Sequence, residues 1–422
     1  MHFASTGALS IRDVAASPDG RVAIGGYYQG HLLGVAGSGK DENVLQLRDA
    51  DSDDGFVAVL PHGDQPHWAQ PIPGFGAQGI TGVAFAPNRD LAVQGFSDQR
   101  RDAAAGLGSD SALVARFEVK GDVNLRKGYA GNQTFAGRVA TDRDAATILV
   151  GSFTGQFDFY GLQQISPPYV VKLDRDGGVA WIRDLGTNWG SYAPPSGVDL
   201  ENLSVAVDAN DAVLIAGDVN GDGHYGFLAK LSAAGKLEYF KQFSGAGVVH
   251  TYGVASDDDG SVLVVGAASG AWSLDGVEVA AVADATGFNA WLAKFSETGE
   301  QQWLRIFPSQ DRGNGALASA VAIDRHRNIV IAGTASSVQI GDAMLAPQAA
   351  SADAVFVAKL GPEGDKLWTY ATDAEAATVF GVAIDAHGDV WACGELATSF
   401  VFDGRLTQAS GSSDGFLLHL AP

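Results

Sequence analysis

Residues 218–223 read DVNGDG, with oxygen-bearing side chains at alternate positions and a glycine where the chain must bend. That spacing turns several oxygens onto one hard cation, so Asp218, Asn220 and Asp222 form a candidate Ca2+ site. The twelfth position of such a loop requires a bidentate carboxylate, and here it is Ala229. The site would therefore be incomplete or completed from elsewhere, and the alternative reading is a plain acidic β-turn. A second acidic run, DADSDDG at 49–55, gathers Asp49, Asp51, Asp53 and Asp54, but its glycine is misplaced for the same geometry.

Imidazole titrates close to neutral pH and is the commonest proton carrier in catalysis. His31 lies in GGYYQGHLLG, His224 in DGHYG, and His250 in VVHTYG beside Tyr252. Tyr27, Tyr28 and His31 in one loop, with His250 and Tyr252 in another, could support proton abstraction of the lyase kind. No Ser-His-Asp order, HExxH, paired CxxC or glycine-rich phosphate loop accompanies them, and no catalytic residue is assigned. Aromatic runs at 188–192 (NWGSY, with Trp189 and Tyr192), 157–161 (FDFYG) and 271–276 (AWSLDG, with Trp272) suit stacking on sugars or gripping another protein, or folding of loops onto themselves.

These residues need a frame, and the frame repeats. Residues 321–333, VAIDRHRNIVIAG, are an apolar strand, a polar turn and a second apolar strand closed by glycine. The pattern recurs from Val14, Val83, Val139, Val205, Val254, Val321 and Val382, each followed by alanine, and each time the closing glycine comes twelve residues later. A second hairpin follows every first one. It opens with FVAVL (56–60), LVARF (113–117), YVVKL (169–173), FLAKL (227–231), WLAKF (291–295), FVAKL (356–360) or FLLHL (416–420). Trp68, Leu125, Trp181, Tyr239, Trp303 and Trp368 come twelve residues after the first position of the first six.

Each copy is thus four short strands, a to d, and one such sheet cannot bury its own faces. Seven around an axis can, which predicts an all-β chain, a single domain over 1–422 forming a seven-bladed β-propeller. Its approximate repeats are 11–74, 79–132, 134–199, 201–250, 251–317, 318–377 and 378–422. Strand a lies nearest the axis, where sheets crowd and Val-Ala fits, while the outer aromatics fill the wider gap between blades. Asp142, Asp208, Asp257, Asp324 and Asp385 fall in the a–b turns, where Asx side chains cap tight turns. The seventh copy lacks its outer strand. Residues 1–6, MHFAST, can supply it with Phe3 or His2 at the tryptophan position, closing the ring and removing open sheet edges.

The elements GVAIDAHGDVWACG and DAVFVAKLGPEGDKLW resemble the SBBP-type seven-bladed β-propeller repeats of bacterial exported and surface proteins, and the resemblance covers essentially the whole chain. Copies 1 and 2 depart most, with ASPDG and APNRD in the a–b turn and Leu125 for tryptophan. The resemblance implies the architecture and an extracytoplasmic location. It transfers no catalytic residue, because its motif consists of structural positions.

The formal charge is −22 and no window gathers Lys and Arg into a phosphate-binding face, which argues against nucleic acid as a partner. No apolar run reaches the length of a membrane span, and MHFASTG has neither the basic start nor the apolar core of an export signal. The single cysteine, Cys393, excludes an intrachain disulfide. Spacing is constant in the a–b and c–d turns and variable in the b–c and d–a connections, which emerge at the same ends of the strands. The residues just after the strand-b glycines, Tyr27, Phe96, Ser152, Asp218, Ala267, Thr334 and Glu395, should line that face. The expectation is a non-enzymatic binding or scaffold module that engages a protein or glycan there. Its alternatives are a polysaccharide lyase- or hydrolase-like enzyme with a site at the channel mouth and a Ca2+-stabilised component of a surface assembly.

Overall fold

Every hairpin of the repeated motif begins with an aspartate, or its substitute, that closes the a–b turn. In blade 4, Asp208 Oδ1 accepts the N–H groups of Asn210 (2.8 Å) and Ala212 (2.9 Å). Asp142, Asp257, Asp324 and Asp385 do the same two and four residues on. The turn then needs a left-handed residue. Gly20, Gly260 and Gly388 supply it without strain, but Arg89, Ala145, Asp211 and Arg327 hold it at φ of 73°, 60°, 59° and 64°.

The computed structural model describes residues 2–36, 43–60, 68–72, 78–98, 110–158, 169–185, 203–219, 225–280, 282, 287–310, 315–347, 353–402, 405–409 and 411–421. The chain is a seven-bladed β-propeller of four-stranded antiparallel blades. Contacts divide it into two compact units: Met1–Glu201 with Asp385–Glu395 and Ser410–Pro422, and Asn202–Ile384 with Leu396–Ala409.

In the first unit, Leu9–Ala16, Val22–Ala36, Asn43–Leu60 and Trp68–Ile72 are strands a to d of blade 1. Strand d of blade 2 and strand a of blade 3 are one run, Val123–Thr141, so these two blades share a seven-stranded sheet. Blade 1 grips blade 2 through Trp68, which stacks on Phe117 (centroids 5.2 Å apart), donates to the Val119 carbonyl (3.1 Å) and lies where a Cβ on Gly121 would stand, 2.7 Å away. Leu125, Tyr239 and Trp303 lie in the same way against Gly177, Gly299 and Gly364 of the following blade.

The N-terminal strand His2–Ser5 completes the C-terminal blade, pairing antiparallel with its strand c, Asp414–Leu420. Its register corrects the sequence reading. Tryptophans of strand d lie opposite the fourth residue of strand c, as Trp181 lies opposite Lys172 and Trp303 opposite Lys294. Phe3 instead lies opposite Gly415, the place of Phe243 opposite Gly226, with His2 opposite Phe416. Phe3 is therefore the counterpart of Phe243 and Phe307, four residues beyond the aromatics first matched, and all three are buried. Hydrogen bonds from Ser5 N to Asp414 Oδ1 (3.3 Å) and Leu9 N to the Ser413 carbonyl (3.0 Å) fasten the strand.

In the second unit, Ser204–Val207, Val213–Val219, Tyr225–Leu231 and Leu237–Gly245 form blade 4. Val249–Ser256, Val262–Ala268, Asn289–Phe295 and Gln301–Phe307 form blade 5. The b–c connections of blades 5 and 6 contain regular structure. That of blade 5 contains a hairpin, Trp272–Leu274 and Val277–Val279, which extends the sheet of blade 4 through Phe243↔Leu274 and Gly245↔Trp272. Blade 6 carries a similar hairpin, Val338–Ile340 with Ala343–Leu345. The acidic run at 49–55 lies in the extended strand Asn43–Leu60, with Asp54 opposite Tyr28, and not in a loop.

Strand a carries a β-bulge in the described copies of blades 1, 2, 5 and 6, between Ile11 and Asp13, Ile80 and Gly82, Thr251 and Gly253, and Ala318 and Ala320. The bulge presses a strand-a carbonyl onto the closing glycine of strand b. A Cβ would meet the Ser10 oxygen at 1.9 Å on Gly26, the His250 oxygen at 1.9 Å on Gly266 and the Leu317 oxygen at 1.8 Å on Gly333. Steric exclusion by the bulge thus accounts for the glycine of the motif.

Three stability outcomes follow from this geometry. Gly333→Ala must displace backbone and should destabilise by about 1–3 kcal/mol in denaturant unfolding, whereas Ala145→Gly relieves a left-handed turn and should stabilise by about 1 kcal/mol. Deleting residues 1–9 should lower the melting temperature by about 5 °C or more; an unchanged value would refute the closing role of the N-terminal strand.

Candidate functional site

The residue that follows the strand-b glycine of blade 4 is Asp218, near the end of Val213–Val219 and opposite Gly226 of strand c. It is 4 % exposed, and an anion so enclosed requires donors. Strand a of blade 5 provides two: the Thr251 N–H donates to Oδ1 (2.5 Å) and the His250 imidazole meets Oδ2 through Nδ1 (2.8 Å). Gly226 makes this approach possible, since a Cβ there would stand 2.0 Å from Thr251 Oγ1.

An ionised carboxylate only accepts, so Nδ1 is the donor of this hydrogen bond, and the bond fixes the orientation of the His250 ring. Tyr252, on the bulge between Thr251 and Gly253, stacks parallel to it (centroids 5.6 Å, 15°). Phe288, just before strand c of blade 5, tilts against the imidazole at 5.3 Å and 50°. The backbone of Phe288 is fixed by the Ala316 N–H on its carbonyl (2.8 Å) and by Gly315, on which a Cβ would reach that oxygen at 2.1 Å. His250, Tyr252 and Phe288 are half-buried. Burial, and after it the charge of Asp218, raises the Tyr252 pKa well above the ordinary phenol range and keeps the side chain neutral.

The sequence reading nominated Asp218, His250 and Tyr252 separately, the first for a cation and the others for proton transfer. The structure joins them, and both oxygens of Asp218 serve hydrogen bonds within the protein. Asn220, Asp222, His224, Trp189 and Tyr192 lie outside the described residues. Among the described residues, no group of three or more His, Cys, Asp or Glu side chains is arranged to hold a metal ion.

The other nominees divide between packing and surface. The stretch with Tyr27, Tyr28 and His31 is part of strand Val22–Ala36 and not a loop. Tyr28 is fully buried edge-on against Phe56 (6.1 Å, 74°), so it belongs to the core and not to a binding face. Tyr27 is half-buried beneath the Arg12 guanidinium (5.3 Å from the ring centroid), with its hydroxyl accepting from Arg12 Nη2 (3.2 Å). His31 is exposed, its N–H donating to Thr6 Oγ1 (3.1 Å). The Phe96 ring fills the space beside Gly79, where a Cβ would stand 2.6 Å from it. Trp272 is 4 % exposed and packs on Trp291 (5.4 Å), which makes it a core residue too. Glu395 is half-buried in Val390–Phe402.

Phe288 was missed by the sequence reading. The signal available was its place in GFNAWLAKF, directly before strand c and in the sequence neighbourhood of a strand-a imidazole. No known protein-family profile and no curated protein matches the chain. Among solved structures, Sqt1 from Chaetomium thermophilum is similar at 11 % identity and TM-score 0.45, covering 100 % of this chain and 98 % of that one. A protein of unknown function from Bacteroides caccae is similar at 12 % identity and TM-score 0.40 (81 % and 93 % covered). A gluconolactonase from Xanthomonas campestris is similar at 14 % and 0.38 (87 % and 90 %). At these values the similarities assign no residue of the site a role.

Tyr252 and Tyr239 are both shifted up, chiefly by burial, so each keeps its proton in the folded chain at pH values where the unfolded chain loses it. Stability due to them is complete below about pH 10 and declines above it, by up to about 1.4 kcal/mol per pH unit for each phenol. Alkaline ultraviolet titration should show a late-ionising group that includes Tyr252, Tyr239 and Tyr225, and Tyr252→Phe should remove one phenol from it. Ten phenols titrating together near pH 10 would refute the environment assigned to both.

Proposed function

We propose that this protein is a non-enzymatic binding module of the cell exterior that engages a protein or glycan through the strand ends carrying its b–c and d–a connections. The supporting observation is the cluster of Asp218, His250, Tyr252 and Phe288. It assembles a fixed hydrogen-bonding imidazole and three half-buried to buried neighbours at the end of strand b, the start of strand a and the approach to strand c, where the repeated scaffold gives way to individual connections. The extracytoplasmic placement rests on the resemblance of the repeats to SBBP-type propellers.

A second reading draws on the same hydrogen bond. A carboxylate backing an imidazole is the orienter and base of acid–base catalysis, and a lyase- or hydrolase-like enzyme would use His250 as the base. Turnover of polysaccharide fractions that is lost in His250→Ala would favour that enzyme. Immobilised protein exposed to fractionated envelope polysaccharide and envelope protein separates the readings. The binding module retains a component unchanged, and His250→Ala with Tyr252→Ala should weaken that retention at least tenfold. Equal retention by the double variant would refute the location of the site.

A further inference from the structure

We infer that Lys230 and Asp208 of blade 4 condense within the folded chain into an amide, an isopeptide cross-link that joins strand c to the a–b turn. In blades 3 to 6 the fourth residue of strand c is a lysine set against the turn aspartate. The pair of blade 4 is the most enclosed of these, with side chains 2 % and 0 % exposed and Nζ 2.9 Å from Oδ2. Leu214 and Tyr239 flank the lysine on the neighbouring strands. Nζ donates to the Glu297 carbonyl of blade 5 (3.1 Å), whereas no hydrogen bond is directed at Oδ2. The nitrogen therefore stands beside the carboxyl group as a nucleophile would.

Blade 4 also holds what the other pairs lack, a second carboxylate within reach of the nitrogen. Glu238, at the start of strand d, brings Oε2 to 3.9 Å from Nζ. Its side chain is 42 % exposed, so it links the buried pair to solvent. The same place is Ala180 in blade 3, Gln302 in blade 5 and Leu367 in blade 6. None of these can carry a proton.

The step balances without an oxidant or an added reactant. An ammonium and a carboxylate become one amide and one water. Nζ gives up two protons, which Glu238 relays to Oδ2; the Cγ–Nζ bond forms, the Cγ–Oδ2 bond breaks, and Oδ2 leaves as water. Oδ1 stays in place as the amide oxygen. It already accepts the N–H groups of Asn210 (2.8 Å) and Ala212 (2.9 Å), which stabilise the negative charge that gathers there during attack. The proton left on the nitrogen keeps the Glu297 carbonyl as its acceptor.

Two physical terms drive the reaction. The fold holds the reacting groups together, which converts an improbable encounter into an intramolecular step. Burial then favours the product, because two enclosed charges are replaced by a neutral amide and a water is released.

The test is mass spectrometry of purified protein kept for several days at room temperature and digested with trypsin in denaturant. The intact chain should be lighter than its sequence requires by one water. Trypsin cannot cut after an acylated lysine, so the fragment 184–236, one water light, should replace 184–230. Cleavage after Lys172, Lys294 and Lys359 should persist. Glu238→Gln, which alters only a half-exposed side chain, should melt as a folded protein yet keep its full mass, and Lys230→Arg should do the same. Full mass in the wild-type chain with normal cleavage after Lys230 would overturn the inference. A missing water found in a fragment that still ends at Lys230 would place the dehydration elsewhere and would also overturn it. Cross-linking undiminished in Glu238→Gln would overturn the role given to Glu238.

Discussion

The interaction on which each repeat depends is the division of labour within one aspartate. One oxygen of Asp208 closes the a–b turn, and the other holds Lys230, 2.9 Å away and 2 % exposed, which projects from strand c of the same blade. Lys172, Lys294 and Lys359 stand in the same relation to Asp142, Asp257 and Asp324, at 2.7, 3.9 and 3.2 Å. A buried ammonium is costly unless its charge is paired and its protons are used. The remaining protons reach the next blade: Lys230 donates to the Glu297 carbonyl at 3.1 Å and Lys294 to the Pro362 carbonyl at 3.4 Å, both in c–d turns. Turn, sheet and neighbouring blade are thus tied at one point, and none can shift without stranding a charge.

The departures obey the same requirement. Blade 1 has Val59 in place of the lysine, and its cation has moved to Arg21, 1 % exposed, which pairs with Asp19 at 3.0 Å and still crosses to the next blade through the Arg89 carbonyl at 3.3 Å. In blade 2, Arg116 takes the lysine position and donates to the Arg175 carbonyl and to Thr147 Oγ1. The closing blade has His419 there. Trp391 stacks on it at 4.0 Å and gives its indole N–H to Asp385, while the imidazole turns to Asp389 at 2.6 Å. In blades 1 and 2 the cation is therefore kept while its residue changes, and in the closing blade an imidazole takes its place.

The sequence carried what lies within a hairpin and little of what lies between blades. Val-Ala, the turn aspartate and the closing glycine recur at fixed spacing because each is dictated by contacts a few residues away. Lys172 and its equivalents were visible as a repeated letter, but their partnership with the turn aspartate depends on strand c lying beside strand b, which no local period reports. Phe3 was placed four residues out of register for the same reason: strand d repeats a second aromatic, Phe243 and Phe307, whose importance appears only when burial is known. The hairpins at 272–279 and 338–345 were read only as connections of variable length because two three-residue strands make too short a pattern to register.

The candidate site shows the same division in its sharpest form. Asp218 was legible as the first residue beyond the uniform scaffold, and His250 as an imidazole beside a tyrosine, yet their contact spans two blades and 32 residues of chain. What brings them together is the scaffold itself. Asp218 follows the closing glycine near the end of strand b of blade 4 and meets strand a of blade 5 at His250 and Thr251, Gly226 leaves room for Thr251, and Tyr252 stands on the bulge beside the imidazole. The repeat thus fixes a strand-end position after each closing glycine, and side-chain identity decides which of the described ones meets a neighbour. Tyr27 is occupied by Arg12 and Phe96 by packing on Gly79, whereas at Asp218 a carboxylate meets an imidazole that is still partly open to solvent. A chemically silent motif can in this way define a functional position, because a side chain departing from the repeat at a fixed strand end inherits a geometry that the other copies have already made rigid.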